Sequence, residues 1–205
     1  EGRLTEEYVE EMKEQPNFGI LYECEFPPED VMDEQGWVQL LSKDDVDRAM
    51  ITEDQRQGFG AIKTAVDVAG GGKNFSAIVN RWTNVAEVVY KSNERDTMLV
   101  AEEFINNIDK YNIDERDSFG DGVGVGKGLC DIVRKVKPLF NLINFATEPR
   151  EHKELYMNLR AQCFWKLREW ILNGGKLVKN NDWYQLTQIY YRTKIEGTRG
   201  GKIQI

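Results

Sequence analysis

The sequence has little of what staples or metallates a small domain. Three cysteines (Cys24, Cys130, Cys163) and one histidine (His152) are spread over 205 residues. With no close cysteine pair, a structural zinc site is excluded. An odd number of cysteines among apolar or helical neighbours predicts buried thiols in a reducing compartment, not a disulfide frame. Long apolar runs are missing too: none approaches the roughly 18 residues that span a bilayer, and the polar, acidic N-terminus is unlike a signal peptide. Internal repeats and low-complexity tracts are absent. What is present is an ordinary globular balance, 40% hydrophobic and 30% charged, enough for one well-filled core or a compact domain with an arm. A start at Glu1 instead of methionine suggests a fragment of something longer.

The net charge of -8 hides an asymmetry. Residues 1–130 hold 13 Lys/Arg against 28 Asp/Glu, whereas residues 131–205 hold 14 against 7. A basic C-terminal part can meet a polyanion through its local potential. A set of solvated helix faces is the simpler account of charge taken alone.

Along the chain, "RLTEEYVEEMKEQ" predicts a short helix capped by Thr5, "ILYECEFPPED" a strand stopped by Pro27 and Pro28, and "SKDDVDRAMI" a helix capped by Ser42. Residues 1–58 read as an acidic arm. From Ala61 the pattern becomes an antiparallel meander: "AIKTAVDVA", a turn at Gly70–Asn74, "FSAIVNRW" and "EVVYK". A helix capped by Asp96 follows, then a short strand at 118–121, a glycine run, and a helix "LCDIVRKVK" ended by Pro138. "LFNLINF" is another strand. "EHKELYMNLRAQCFWKLREWILNGG" reads as the longest helix, headed by an exposed His152 and stopped by glycine. "NDWYQLTQIYY" is a short helix and "RTKIEGTRGGKIQI" a hairpin.

Two glycine-bearing stretches fail the tests for nucleotide loops. In "DVAGGGKN" Asp67 stands where a phosphate loop needs its first glycine, and Asn74 where it needs Ser or Thr. In "GDGVGVGKG" the alternating glycines never satisfy G-x-G-x-x-G. What the stretches share is an aspartate at a strand followed by small residues. If the strands of Asp67 and Asp121 are neighbours, two carboxylates converge and repel unless a cation lies between them. Mg2+ prefers such oxygen ligands, and a metal pair roughly 3.5–4 Å apart supports hydrolysis of a phosphodiester. The alternative for these residues is structural, with Asp67 facing solvent and Asp121 bonding to its own backbone in a turn.

An acid-bearing strand, two further antiparallel strands, a helix and a second acid-bearing strand form the opening of an α/β, ribonuclease H-like mixed sheet flanked by helices. The chain resembles, more closely, the nuclease domain of the large terminase subunit of tailed double-stranded DNA bacteriophages or prophages. "CEFP" is similar to the G-E-F-P that ends the family's linker. "VDVAGGGKNFSAIV" resembles the first acid strand, "FGDGVGVGKGLCD" the second acid with its glycine loop, and "MNLRAQCFWKLREWI" the N-x-R-A-x-x-aromatic helix. Nearly all of the chain is covered.

The resemblance implies a metal-dependent endonuclease domain that cleaves double-stranded viral DNA during packaging, with Mg2+ or Mn2+ in a two-metal site. Asp67, placed to bridge both ions, and Asp121 are the implied ligands and catalytic residues, with Gly122, Gly124 and Gly126 shaping the loop. Asp131 is expected to cap or pair on its helix, and His152 to lie outside the site. Residues 1–58 would be the linker from an upstream ATPase domain, and residues 59–205 the nuclease domain, truncated before its last helix. The third acidic ligand would lie beyond Ile205, since Glu196 and Asp182 do not fit that role and Asn74 replaces a common acid. A portal protein and a small terminase subunit are implied partners. No membrane is involved, and the implied setting is the host cytoplasm with transient docking on the procapsid portal. Arg160, Lys166, Arg168, Lys176 and Lys179 are candidates for phosphate contact, while Trp165 and Trp170 are expected in the core. Two other readings stay open, a catalytically silent DNA-docking or motor-contact domain and an actin-like nucleotide-binding fold, for which the chain has room for only one lobe.

Overall fold

The computed structural model describes residues 32–69, 74–124, 126–195 and 201–205. The expected N-terminal helix and strand, Cys24, "CEFP", most of the Gly70–Asn74 turn and Glu196 lie outside them. In chain order the elements are β1 (Val38–Gln39), α1 (Lys43–Ala49), β2 (Met50–Ile51), β3 (Lys63–Asp67), β4 (Ser76–Arg81), β5 (Val85–Ser92) and α2 (Thr97–Lys110). They continue with β6 (Ser118–Asp121), α3 (Gly126–Val136), β7 (Asn141–Ile143), α4 (Leu159–Leu172), β8 (Lys176–Val178), β9 (Tyr190–Ile195) and β10 (Gly201–Gln204). No described helix is long and apolar enough to cross a membrane.

The chain forms two compact units. The larger, residues 43–145 and 169–184, holds a seven-stranded sheet in the order β2-β8-β5-β4-β3-β6-β7. Every strand is parallel to the others except β4, which runs against β3 and β5 as the expected meander. β3 alternates, with Thr64 and Val66 buried and Lys63, Ala65 and Asp67 exposed, so one face of this strand is packed and the other open. The packed face carries Val66 and Ile78 against Val100, Phe104 and Ile108 of α2 and Leu129 and Val133 of α3. Phe104 meets Phe140 edge to face at 5.6 Å between centroids. A polar lock lies in this core: Asn80 and Asn107 exchange amide hydrogen bonds of 2.9 Å, and Asn107 also donates to Thr64 at 3.0 Å. Satisfying each amide this way removes the cost of burying it.

Local chemistry sets the helix limits. Asp96 caps α2 by accepting the Met98 N–H at 2.8 Å. Its far end closes when Ile113 and Asn112 donate to the carbonyls of Ile108 and Asp109, with Asn112 at φ 50°. α4 is shorter than expected, because Glu151–Asn158 is not helical. Asn158 is its cap, accepting the Ala161 N–H at 2.9 Å, and the peptides before it bond elsewhere, as Tyr156 bridges Ile203. His152 therefore does not head a helix; it is exposed in a turn at φ 50°. Gly174 and Gly175 end α4 as the sequence predicts, donating to Ile171 and Trp170. The expected helix at "NDWYQLTQ" is a 3-10 helix, Asn181–Gln188.

Among the described residues, the smaller unit comprises 32–42, 146–168, 185–195 and 201–205. Its antiparallel sheet, β1-β9-β10, contains the expected C-terminal hairpin. Val38, Leu40, Tyr156, Trp165, Tyr191 and Ile203 form its core, with Trp165 and Tyr191 edge to face at 4.9 Å. Residues 38–51, within the segment read as an arm, supply an edge strand to each sheet. Cys130 is buried as expected; Cys163 is not, because it lies on the solvent side of α4 while Trp165 turns inward.

Candidate functional site

β3 and β6 are parallel neighbours whose following connections diverge, one to β4 and the other through α3 to β7. Such a divergence leaves a crevice at the carboxyl ends of the strands, where α/β sheets bind ligands. The last register pair of the two strands is Val66 with Gly120. One residue further on each strand stand Asp67 and Asp121, so the two carboxyl-bearing residues end adjacent strands at the same level. Asp67 is exposed and Asp121 half-buried.

The backbone around Asp121 is tightly specified. Its Oδ1 accepts the Val123 N–H at 2.9 Å, the self-bonded turn that the structural alternative predicts, while its other oxygen has no described partner. The Cys130 thiol donates to the Asp121 carbonyl at 3.3 Å. Burial first, and then the charges of Asp121 and Asp131, push this thiol up to about 11, so it stays protonated and able to donate. Gly126 lets α3 begin directly beside the strand, since a Cβ there would stand 2.5 Å from the Asp121 carbonyl oxygen. Gly124 turns the loop at φ 67°. On the other strand, buried Ser76 accepts the Ala69 N–H at 3.0 Å and fixes the chain leaving Asp67.

The Asp67 carboxylate makes no hydrogen bond or ion pair with a described residue. Two anionic groups at neighbouring strand ends without a cationic partner are a hard-oxygen donor set that suits a divalent cation. No group of three His, Cys, Asp or Glu residues able to hold a metal occurs among the described residues. Asp182 is occupied in an ion pair with Lys91 at 2.7 Å, and Asp131 is exposed in mid-helix, where its charge acts on Cys130 without capping the helix.

Most of the basic candidates have structural partners. Arg168 donates to the Leu40 carbonyl and stacks on Trp165, Lys166 pairs with Glu151, and Lys176 donates to the Arg48 carbonyl. Arg160 lies over the Phe164 ring. Lys179 lines a cleft of about 360 Å3 with Thr52, Glu53 and Val178. Trp165 is buried as expected, whereas Trp170 is half-buried and donates to the Thr83 carbonyl at 2.8 Å. Sequence reasoning missed Ser76 and Cys130, whose partners depend on tertiary placement. It also missed the exposed apolar residues Phe75 and Phe145, read as strand ends, and Val123, read within the glycine run.

No family model and no curated protein matches the sequence. Among solved structures the chain is similar to the nuclease domain of the large terminase subunit gp2 of bacterial virus Sf6, with TM-score 0.61 and 14% identity over 82% of this chain and 88% of that one. A variant of the same domain solved with manganese gives TM-score 0.58 at 15% identity, over 82% and 87%. The large terminase nuclease of thermophilic phage G20c, solved with bound magnesium, gives 0.52 at 12%, over 81% and 87%. An acid-ended strand pair at the switch point and these likenesses agree on one architecture: the chain has the ribonuclease H-like fold found in the nuclease domains of large terminase subunits.

Proposed function

We propose that this chain is a metal-dependent endonuclease domain that cleaves double-stranded DNA during viral genome packaging, with Asp67 and Asp121 as its ligands for Mg2+ or Mn2+. The observation that carries this reading is the level placement of the two aspartates on β3 and β6. Divalent cations held there would supply Lewis acidity at a phosphoryl oxygen and ease the deprotonation of a water so that it can act as the nucleophile. Asp67, open to solvent and without a described partner, offers both oxygens. Asp121 offers the oxygen not used by Val123, on a backbone that Cys130 and Gly126 hold still. Preorganised ligands of this kind cost little reorganisation as charge develops on phosphate. An upstream ATPase domain, a portal and a small subunit are the partners this reading calls for, in the host cytoplasm. The linker would lie within residues 1–58, ahead of β1 and β2, which pair into the two sheets, and the nuclease domain would take in those strands with residues 59–205.

The test is nicking of supercoiled plasmid in EDTA, Mg2+ or Mn2+. Cleavage that needs the metal and falls by at least about a thousandfold in folded Asp67→Ala and Asp121→Ala supports the reading. A plasmid left intact under all conditions, with DNA still retarded on a gel, would instead favour the silent docking domain.

A further inference from the structure

The sheet edge that carries the two aspartates also carries exposed apolar side chains. Phe75 lies two residues before Ala77, the register partner of Asp67. Val123 lies two residues after Asp121, and Phe145 two residues after Ile143, the register partner of Asp121. All three are exposed, at 50%, 54% and 40%. Met98 and Leu99, exposed in the first turn of α2, continue the row above the end of β5. Four successive connections along the sheet edge that carries the carboxylates thus leave apolar groups in water. Exposed apolar groups gathered at one place mark a contact surface.

A continuous duplex offers mainly phosphates, and proteins grip it with clustered Lys and Arg. The described part of this edge has few. Lys91 is paired with Asp182 and lies 4.4 Å from the Phe75 ring centroid. Arg95 is offset by Glu94 and Asp96 beside it in the chain, and Lys127 is a single cation in the first turn of α3. Aromatic and aliphatic side chains gain from nucleic acid where bases are unstacked and present their faces, with roughly 1–3 kcal/mol per stacked base. Resting on the nuclease reading, we propose that this site takes the phosphodiester of a strand whose flanking bases are unpaired or unstacked, as in a bubble, flap or frayed end, with Phe75 as the stacking platform and Val123 and Phe145 as its flanks.

The test is fluorescence anisotropy in Ca2+ with labelled oligonucleotides of equal length: a continuous duplex, a duplex with a central bubble, and a single strand. The expected result is at least about tenfold tighter binding of the bubble and single strand than of the duplex. Phe75→Ala should remove most of that preference, Phe75→Trp should keep it, and Lys127→Ala should weaken all three ligands alike. Equal affinity for all three, or a preference untouched by Phe75→Ala, overturns the inference. Plasmid nicking separates the two claims. Metal-dependent cutting without a bubble preference leaves the nuclease reading standing and removes this one, whereas failure to bind any of the three DNAs removes both. Binding of a protein partner that Phe75→Ala abolishes, with DNA binding unchanged, would reassign these side chains to protein contact.

Discussion

The two edges of the seven-stranded sheet are built on opposite terms. At the amino edge almost every polar group has an answer. Asn84 accepts from Phe59 N–H at 3.2 Å and donates to the Gln57 carbonyl at 2.9 Å, Trp170 reaches Thr83, and Lys63 pairs with Asp117 at 3.2 Å. Asn141 donates to the carbonyls of Arg116 and Ser118. At the carboxyl edge the Asp67 carboxylate has no described partner, Asp121 uses one oxygen on its own turn, and apolar side chains stand in water. Among the described residues, the first edge has its interactions completed within the fold, and the second leaves a carboxylate without a partner and several apolar groups exposed. In the proposed reading, stability and chemistry fall to opposite ends of the same strands.

Substitutions can break this division, and the largest effect is expected at the carboxyl edge. Asp67→Asn should abolish nicking, by the factor given above, and also any rise in melting temperature on adding Mn2+. In EDTA its melting temperature should match or exceed that of the wild type, because one member of a like-charged pair is gone. Gly126→Val should displace the Asp121 carbonyl and cost about 10–100-fold in nicking rate, with a stability loss of about 1–3 kcal/mol in urea denaturation. Asn84→Ala, at the amino edge, should cost about 1–3 kcal/mol in the same assay and leave the rate per folded molecule unchanged. Trp170→Phe keeps the ring and loses only the donation to Thr83, so about 0.5–1.5 kcal/mol and no change in activity is expected. A stability variant at the amino edge that slowed nicking would show that the edges are coupled.

Much of this was legible in the residues. The meander from Ala61, the Asp96 cap, the Pro138 stop and the two acid strands all follow from patterns that local chemistry controls. The adjacency of β3 and β6 was conditional in the sequence, because register between distant strands is set by tertiary packing. Glu151–Asn158 has a helical pattern but turns instead, since Asn158 offers a better start and Tyr156 finds a partner at Ile203. The basic residues of α4 looked free in sequence, yet Arg168 and Lys166 are engaged by Leu40, Trp165 and Glu151. Charge counts cannot register such partners. The exposed apolar edge was illegible for a related reason: Phe75 and Phe145 look like ordinary strand residues until the strand ends are fixed.

The outermost pairings carry a consequence for how the molecule is assembled. Met50 pairs with Leu177, and Val38 with Tyr191, whereas β3, β4, β5 and α2 are contiguous in the chain. Local contacts close quickly and distant ones slowly. The segment 63–110 is therefore the natural nucleus, able to organise while synthesis continues. β2 must wait for β8, and β1 for β9, so the early-made strands spend part of the chain's synthesis without their partners. In kinetic terms, substitutions at Met50 or Leu177 should act mainly on the unfolding rate, and those at Ile78 or Phe104 on the folding rate.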